Sequence, residues 1–299
     1  MGIMSQPTRI AVAQIDIAFA DREQNLAHMI QVLEETAAAG ANLTVFPEAA
    51  LAGYCFDSLD EARPHAEPIP GPSTRRMSDV CRQLGCFAVY GLLELATARQ
   101  EPRPPNSSDR IFNACVLVGP EGVVGTYRKV HLPFLGVDRF TTPGDRPFAV
   151  HEAAGMRIGM NICYDGGFPE PARVLTLLGA DLVVLPTNWP PGAECMAGCV
   201  VNARAMENNI YYAACDRVGD ERGFHFIGQS KICGPSGAVL TEAAHDRETI
   251  LYAEIDIAQA RQKKIVRRPN LHEIDRIRDR RPQMYGPIVA AQPLSGERR

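Results

Sequence analysis

The chain has 299 residues, a formal net charge of −4 at pH 7 and an isoelectric point near 6.0. This length allows one large α/β domain or two ordinary ones, in either case with a substantial core. The charge balance, with no dense basic run before the tail, lacks the electrostatic pattern of a protein that binds nucleic acid or an anionic membrane. No apolar run reaches the roughly 18 to 20 residues that span a bilayer, and the first residues lack the pattern of a signal peptide. We therefore expect a cytoplasmic protein that acts on a small molecule, with no nucleic-acid and no membrane partner.

The first half of the chain alternates strand-like and helix-like segments. Residues 9–15 form a run of small and β-branched residues typical of a buried strand, and apolar residues over 26–37 recur at helical spacing up to a C-capping Gly40. A short strand ends on Glu48, and a loop rich in proline leads to a helix for which Ser73 is the predicted N-cap. The following segments are predicted as a strand over 87–95, a polar surface excursion over 97–110 and a hairpin over 113–129.

The second half repeats this pattern. Gly40-Ala-Asn-Leu-Thr-Val-Phe-Pro-Glu48 matches Gly179-Ala-Asp-Leu-Val-Val-Leu-Pro-Thr187, and Arg9-Ile-Ala-Val resembles Arg157-Ile-Gly-Met. Each half therefore reads β-α-β-α-β followed by a hairpin. Because such apolar strands need cover on both faces, we predict an α/β fold in which two similar halves form an α-β-β-α sandwich. Two separate domains are the alternative, although no linker-like composition lies between residues 130 and 157. The second half is predicted to contain helices near 169–178 and 194–208, a strand over 210–215 and a hairpin over 231–240.

The C-terminal part of the chain differs from the two repeats. Residues 249–255 are predicted as a strand and 256–266 as a short helix, so the main domain is expected to span residues 1–266. The tail over 267–299 is too basic and too often broken by proline to form a core. Its two interpretations are a solvated extension and an arm that lies across a partner subunit.

Nine cysteines in a chain without a signal peptide do not indicate a disulfide framework. The closest spacings, Cys195-x3-Cys199 and Cys81-x4-Cys86, are not joined by a second pair at zinc-ligand spacing, so we interpret them as core thiols and predict no metal site. Cys163 differs because it stands where an apolar strand gives way to Tyr-Asp-Gly-Gly. We expect an exposed position lined by backbone, which suits a nucleophile. The alternative is a buried, inert thiol.

Three ionisable residues, Glu48, Lys129 and Cys163, each follow the end of a predicted strand. A thiol with an ordinary pKa near 8.5 is an efficient nucleophile only beside a base or a cation. Glu48 can accept the thiol proton, and Lys129 can stabilise negative charge on a substrate oxygen together with the backbone N–H of Tyr164. Taken singly, Glu48 can also cap a helix, Lys129 can be a solvated charge, and His131 is the more usual partner of a protease cysteine.

Three blocks occur in order along the chain. They are Phe-Pro-Glu48, then Tyr127-Arg-Lys129-Val-His-Leu-Pro133, then Asn161-Ile-Cys163-Tyr-Asp165 with Phe168-Pro-Glu170. Together they closely resemble the signature blocks of the nitrilase superfamily, the carbon-nitrogen hydrolases. The resemblance extends over about residues 9–255, through Arg204-Ala-x-Glu207-Asn208, Phe226-x-Gly-x-Ser230 and Gly234-Pro-x-Gly237.

This resemblance implies the α-β-β-α sandwich, a homodimer or larger homo-oligomer, and a Glu-Lys-Cys triad. It implies that Cys163 is the nucleophile, Glu48 the general base and later acid, and Lys129 the oxyanion donor. An amide would pass through a thioester to the acid and ammonia or an amine, with no metal or organic cofactor. Many members carry a second glutamate before Pro143-Gly-Asp145, and because this chain has no Glu there, Asp138 is the candidate for that role.

The residues after the nucleophile bear on the substrate. Tyr164-Asp165 resembles amidases and carbamoylases more than nitrilases, so we expect hydrolysis of a small linear amide. Gly166-Gly167 stands where N-carbamoyl-amino-acid hydrolases carry a basic pair, which favours a neutral or cationic amide. Tyr54, Asn188 and Trp189 are expected to bind substrate, ordinary packing being the alternative. The alternative functions are a carbamoylase, a nitrilase and a catalytically silent metabolite-binding or scaffold homologue.

Overall fold

The structure, a computed structural model, describes residues 8–96 and 109–290. The predicted surface excursion over 97–110 therefore lies almost entirely outside the described residues. The strands are β1 Thr8–Gln14, β2 Leu43–Val45, β3 Phe87–Ala96, β4 Arg110–Gly119, β5 Gly122–Arg128, β6 Val150–Ala153, β7 Met156–Met160, β8 Leu182–Thr187, β9 Tyr211–Asp216, β10 Asp220–Glu221, β11 Phe224–His225, β12 Lys231–Cys233, β13 Val239–Glu242, β14 Thr249–Ile255, β15 Ile265–Arg268 and β16 His272–Ile274. The helices are α1 Arg22–Ala38, α2 Leu59–Ala62, α3 Pro72–Leu84, α4 Pro169–Leu177, α5 Val201–Asn208, α6 Ile257–Arg261 and α7 Gly286–Val289.

Two six-stranded sheets form the centre of the molecule, and their strand orders are equivalent. One sheet runs β14-β1-β2-β3-β4-β5 and the other β6-β7-β8-β9-β12-β13. In each sheet three parallel strands are flanked by an antiparallel hairpin on one side and an antiparallel edge strand on the other. The predicted repeat and the sandwich are therefore confirmed. The edge strand β14 comes from the end of the second repeat and completes the sheet of the first, which ties the two halves into one unit.

Apolar side chains of both sheets fill the space between them, and helices cover the outer faces. Residues of β1 and β2 share one buried cluster with residues of β7, β8 and β9. The Cys215 thiol on β9 donates to the carbonyl oxygens of Ala13 and Val45 in the opposite sheet, at 3.2 and 3.1 Å. Helices α1 and α3 pack on the first sheet and α4 and α5 on the second. No helix within the described ranges is long and apolar enough to cross a membrane.

The start of α3 differs from the prediction. The N-cap is Gly71 rather than Ser73, because Pro72 occupies the first turn and the hydroxyl of Thr74 accepts the N–H of Gly71 at 2.7 Å. The N–H and hydroxyl of Ser73 instead donate to the buried carboxylate of Glu67. Proline suits the first helical position, because it lacks the backbone N–H that would otherwise need a partner there. The N-cap is therefore the residue directly before Pro72.

The tail forms a small hairpin, β15 with β16, followed by the short helix α7. β15 crosses the boundary predicted at residue 266, and α6 ends at Arg261, earlier than predicted. Side chains from residues 276–289 line a cleft of about 570 Å³ against α4. Several apolar tail residues stay exposed, among them Met284, Ile288 and Val289.

Candidate active site

The fold brings Glu48, Lys129 and Cys163 together at the ends of their strands. Glu48 follows β2, Lys129 follows β5, and Cys163 begins a 3₁₀ turn after β7. The Lys129 Nζ donates to Glu48 Oε1 at 2.7 Å, and both residues lie close enough to Cys163 to shift the pKa of its thiol. The expectation of an exposed cysteine was wrong, since Cys163 is only 8% exposed and belongs to the buried cluster that includes residues of both sheets. Lys129 is likewise buried and is no solvated charge.

The turn that carries Cys163 is held by Asp165. Cys163 has a φ of 45°, a left-handed conformation that is uncommon for a residue with a side chain. The carboxylate of Asp165 accepts the N–H of Ile162 at 3.0 Å and the hydroxyl of Tyr127 at 2.8 Å. Its other oxygen accepts the backbone N–H of His131 and lies 2.7 Å from the ring Nδ1 of that residue. Asp165 therefore links the turn of Cys163 to the segment that carries Lys129, and the His131 ring pairs with Asp165 rather than with the thiol.

Hydrogen bonds link Lys129 with Glu48, Asp138, Asn113 and Tyr54 in one cluster, which we call the cage. Lys129 Nζ also donates to Asp138 Oδ2 at 2.5 Å, so the shorter side chain of Asp138 reaches the site. The amide nitrogen of Asn113 donates to Glu48 Oε1 at 2.7 Å and to Asp138 Oδ1 at 2.8 Å, which bridges the two carboxylates. The hydroxyl of Tyr54 lies 2.9 Å from Asp138 Oδ2 and 3.1 Å from a backbone oxygen.

The cage leaves two groups available for chemistry. Glu48 Oε1 already accepts from Lys129 and Asn113, whereas Glu48 Oε2 is buried and has no hydrogen-bond partner among the described residues. An ammonium group carries three N–H bonds, and Lys129 directs two of them to Glu48 and Asp138. Both oxygens of Asp138 are engaged, so this residue is placed to hold charge and geometry rather than to exchange a proton.

Burial and neighbouring charges determine the protonation states of Glu48, Lys129 and Cys163. Burial raises the pKa of Glu48, which Lys129 lowers and Asp138 raises again. Burial alone would lower the pKa of Lys129, but Asp138 and Glu48 raise it well above its ordinary value, so the ammonium form persists. Burial and Glu48 raise the pKa of the Cys163 thiol, while Lys129 lowers it. The thiol is therefore protonated at neutral pH, with a base beside it.

The neighbouring strand end in the second half contributes neutral polar groups. The backbone N–H of Asn188 and the hydroxyl of Thr187 lie near the Cys163 sulfur, and each lowers the pKa of its thiol. The Thr187 hydroxyl is buried and has no hydrogen-bond partner among the described residues. The next N–H, that of Trp189, donates to Asp216 Oδ1 at 2.7 Å. Both amide atoms of Asn188 and the indole Nε1 of Trp189 are buried without a hydrogen-bond partner in the described part of the chain. Buried polar atoms of this kind are uncommon away from sites that bind a ligand or water.

The remaining predicted residues lie at different distances from this centre. Tyr54 is buried behind Asp138, with its ring 5.8 Å from Lys129 Nζ. Tyr164 follows the nucleophile, and its side chain is exposed and packs edge-on against Phe168. Sequence reasoning missed Asn113, Thr187 and Asp216, although Thr187 and Asp216 are polar residues that end apolar strands and Asn113 is a polar residue within β4. Over residues 8–96 and 109–290, no cluster of three or more His, Cys, Asp or Glu side chains could hold a metal ion.

Comparison with known proteins identifies the family of this chain. The sequence profile of the carbon-nitrogen hydrolase family matches residues 9–265. A nitrilase from Pyrococcus abyssi is 36% identical over 280 residues, covering 93% of this chain and 98% of the relative. An omega-amidase from Xenopus tropicalis is 30% identical over 278 residues, covering 87% and 94%. A structure of an amidase variant from Nesterenkonia sp. AN1, with acrylamide added at its active-site cysteine, has 25% identity and a TM-score of 0.72 and covers 93% of this chain and 98% of that one. The chain belongs to the carbon-nitrogen hydrolases of the nitrilase superfamily, and it is an enzyme of that class.

Proposed function

We propose that this carbon-nitrogen hydrolase converts a small linear amide to the carboxylic acid and ammonia or an amine. Glu48 Oε2 accepts the proton of the Cys163 thiol as sulfur attacks the amide carbon. The oxyanion that forms is stabilised by the third N–H of Lys129 and by the backbone N–H of Tyr164. Glu48 then returns the proton to the leaving nitrogen, and a thioester to Cys163 remains. Water, deprotonated by Glu48, hydrolyses the thioester and restores the thiol.

The observation that carries this proposal is the asymmetry of the Glu48 carboxylate. One oxygen is held by Lys129 and Asn113, and the other has no partner among the described residues. The carboxylate lies close enough to Cys163 to raise the pKa of its thiol. A general base needs one free oxygen and a fixed orientation, and this arrangement supplies both. The Nesterenkonia amidase, in which acrylamide adds to the active-site cysteine, supports Cys163 as the nucleophile.

Trapping of the intermediate tests the mechanism directly. Acid quenching during turnover of a linear amide is expected to leave an acyl group on the peptide that contains Cys163. Cys163→Ala is expected to abolish both the adduct and the activity. Full activity in that variant would exclude the mechanism. Cys55→Ala is the matched control, because Cys55 is also a buried thiol but contacts Glu221 rather than the triad.

The charges around the site favour a neutral or cationic substrate. The cage holds two carboxylates, Glu48 and Asp138, against one ammonium group. In the neighbouring cleft, Arg139 and Arg222 are both engaged by acidic side chains. We therefore expect pentanamide to be hydrolysed more efficiently than succinamate, whose terminal carboxylate would meet net negative charge. A preference for succinamate in kcat/KM would contradict this part of the proposal.

Nitrile hydrolysis is the second candidate, because a relative with 36% identity is named a nitrilase. Product analysis separates the reactions. Ammonia without carbon dioxide indicates an amidase, both products together indicate a carbamoylase, and ammonia from nitriles but not from their amides indicates a nitrilase. If amides, carbamoyl compounds and nitriles are all inert, a silent binding or scaffold protein is the better interpretation.

The assembly is also part of the proposal. We expect a homodimer or larger homo-oligomer, with the tail over 267–299 as an arm between subunits and residues 1–266 as the hydrolase domain. The exposed apolar residues Met284, Ile288 and Val289 support this role for the tail. Truncation after residue 266 is expected to shift the mass measured by light scattering towards the monomer. Cytoplasmic location stays a prediction of the sequence.

A further inference from the structure

Asp216 ends β9 next to the nucleophile and takes no part in the proposed proton transfers. It is fully buried, and it lies beside Thr187 in the register of β8 and β9. Its Oδ1 accepts the N–H of Trp189 at 2.7 Å, and the backbone N–H of Arg217 also bonds to the carboxyl. Its Oδ2 has no hydrogen-bond partner among residues 8–96 and 109–290. A buried acid with one oxygen unused calls for a functional explanation.

The two backbone amides after Thr187 have different neighbours. The N–H of Asn188 lies near the Cys163 sulfur and lowers the pKa of its thiol, and the N–H of Trp189 donates to Asp216 Oδ1 at 2.7 Å. The carbonyl of Trp189 accepts the N–H of Ile227 at 3.0 Å. The segment 187–189 therefore lies between Cys163 and β9, and the Asp216 side chain on β9 holds it through the N–H of Trp189.

Building on the proposed function, we infer that Asp216 is a positioning residue. By holding the N–H of Trp189, it keeps segment 187–189 in place beside Cys163 and keeps the Trp189 indole against the substrate position. It acts through these groups and does not exchange protons with the substrate. Displacement of a positioning segment by about 1 Å can cost roughly 100-fold in rate.

The charge state of Asp216 makes this inference specific. Burial raises the pKa of Asp216 well above its ordinary value, the two backbone N–H groups lower it, and the nearby Glu48 raises it. The acid is therefore favoured in its neutral form, in which it serves only as a hydrogen-bonding group. Asparagine has the same shape and retains an oxygen acceptor for Trp189. A neutral positioning role consequently predicts that asparagine replaces Asp216 without loss, whereas a charged catalytic role predicts that it does not.

The pH dependence of folding stability gives a second test of the neutral form of Asp216. A carboxyl whose pKa is raised on folding contributes stability below its unfolded pKa of about 4, and this contribution is lost as pH rises through the folded pKa. Asp216→Asn removes the titration. The variant is therefore expected to be at least as stable as the wild type at pH 7 to 8, with the relative gain disappearing towards pH 4.

The test uses the full chain with three substitutions at this position. Asp216→Asn is expected to keep kcat within about 3-fold of wild type, and Asp216→Leu and Asp216→Ala are expected to lower it by roughly 10- to 100-fold, the range of a lost hydrogen bond to a positioning group. Trp189 is the only tryptophan in the sequence, so intrinsic fluorescence reports its environment without any substrate. The emission maximum is expected to shift in the leucine and alanine variants and to stay unchanged in the asparagine variant. The rate at which iodoacetamide alkylates the Cys163 peptide, measured by mass spectrometry, is expected to change in the leucine and alanine variants.

Asp181→Asn is the matched control. Asp181 is a buried carboxylate directly before β8, and it holds the backbone of Arg157 and the guanidinium of Arg261. This variant is expected to lose stability but to keep its kcat and its tryptophan emission. If the leucine and alanine variants do not fold, wild-type kcat in Asp216→Asn still supports a neutral role.

Two results would overturn the inference. One is unchanged emission and kcat in a folded Asp216→Leu or Asp216→Ala protein, and the other is an Asp216→Asn variant as impaired as the leucine variant. If no tested compound is turned over even by the wild type, the proposed function fails, but fluorescence and alkylation still decide whether Asp216 positions the segment.

Discussion

The two halves of the molecule have the same strand order but divide the chemistry between them. In the first half, the strand ends place charged groups, Glu48 and Lys129, with Asp138 beside them. In the second half, the equivalent ends place a protonated thiol, Cys163, followed by neutral polar groups over 187–189. An internal repeat thus supplies two copies of one scaffold, and each copy carries a different part of one site.

The two halves also differ in how their polar groups are satisfied. In the first-half cage, Lys129, the amide nitrogen of Asn113 and both oxygens of Asp138 are engaged, while Glu48 Oε2 and Asn113 Oδ1 have no hydrogen-bond partner among the described residues. In the second half, the amide of Asn188 and the indole of Trp189 stay without partners among the described residues. This difference fits the proposed mechanism, in which the first-half cage is preorganised for proton transfer and charge stabilisation and Asn188 and Trp189 meet the substrate. Substitutions in the first-half cage should therefore move the pH dependence, and substitutions of Asn188 and Trp189 should move KM.

The largest effect is expected from Lys129→Met. Two buried carboxylates would lose their cation, which typically costs about 3 to 5 kcal/mol of stability, and turnover should fall at least 1,000-fold because the oxyanion donor is lost. Without Lys129 the pKa of Glu48 rises further, so the neutral acid relieves the repulsion at low pH. The stability deficit, measured by urea unfolding, should thus be largest at neutral pH and should shrink below about pH 4.

Arg128→Met is the control for this variant. Arg128 precedes Lys129, is equally buried and pairs with Glu94 and Asp145, away from the triad. It should lose comparable stability but keep most of its kcat under conditions in which it is folded. Wild-type stability in the Lys129 variant, or equal loss of kcat in both, would contradict the assignment of charge to the first-half cage.

Asp138→Asn should lower kcat by roughly 100-fold, because Lys129 loses one of its two charge-assisted partners. Asp138 raises the pKa of Glu48, so its neutralisation lowers that pKa. The base then stays ionised to lower pH, and the acid limb of the kcat/KM profile should move to lower pH. Asp145→Asn, at a half-exposed carboxylate paired with Arg110 and Arg128, should leave the limb in place. An unchanged rate in Asp138→Asn would make Asp138 a structural loop residue.

Asn113→Leu should lower kcat by about 10- to 50-fold. It should also move the acid limb of the kcat/KM profile to higher pH, opposite to the shift in Asp138→Asn. The Asn113 amide lowers the pKa of Glu48 by donating to its carboxylate, so removal of that donor raises the pKa. A hydrogen bond to a charged group is worth about 1.5 to 3 kcal/mol, which sets the expected loss in rate. Asn113→Asp, which adds a negative charge, should move the limb further upwards. A shift to lower pH in either variant would show that Asn113 does not control this carboxylate.

The sequence predicted the sandwich and the convergence of the triad because both follow from local patterns. The repeated segments ending at Glu48 and Thr187 identify equivalent parallel strands, and the ends of such strands meet at one edge of a sheet. Burial of Cys163 did not follow, because it depends on a cluster that includes residues of both sheets. A strand end is exposed only if nothing in the tertiary fold covers it.

The contacts of Asn113 and Asp216 were beyond sequence reasoning for the same reason. Asn113 meets Glu48 over a separation of 65 residues, and Asp216 meets Trp189 over 27. Each contact depends on the register between neighbouring strands, which apolar periodicity does not determine for a strand buried on both faces. Ser73 shows the local counterpart, since its hydroxyl bonds to Glu67, six residues earlier in the chain, and does not cap α3.

The smallest effect is expected from Trp189→Phe, and it distinguishes the two halves most directly. Phenylalanine keeps an aromatic ring but lacks the indole N–H, which is buried without a partner among the described residues and is available to a substrate oxygen. The loss of one neutral hydrogen bond, about 1 kcal/mol, should raise KM by roughly 5-fold and leave kcat within about 2-fold. The acid limb should not move, because Trp189 makes no hydrogen bond to the Glu48 cage.

Tyr90→Phe is the matched control. It removes another buried polar atom that has no partner among the described residues, on the helix-covered face of the first sheet, and should change neither KM nor the pH profile. An acid limb that moved in Trp189→Phe would mean that the halves are coupled in proton transfer, and an unchanged KM would place the indole outside the substrate position.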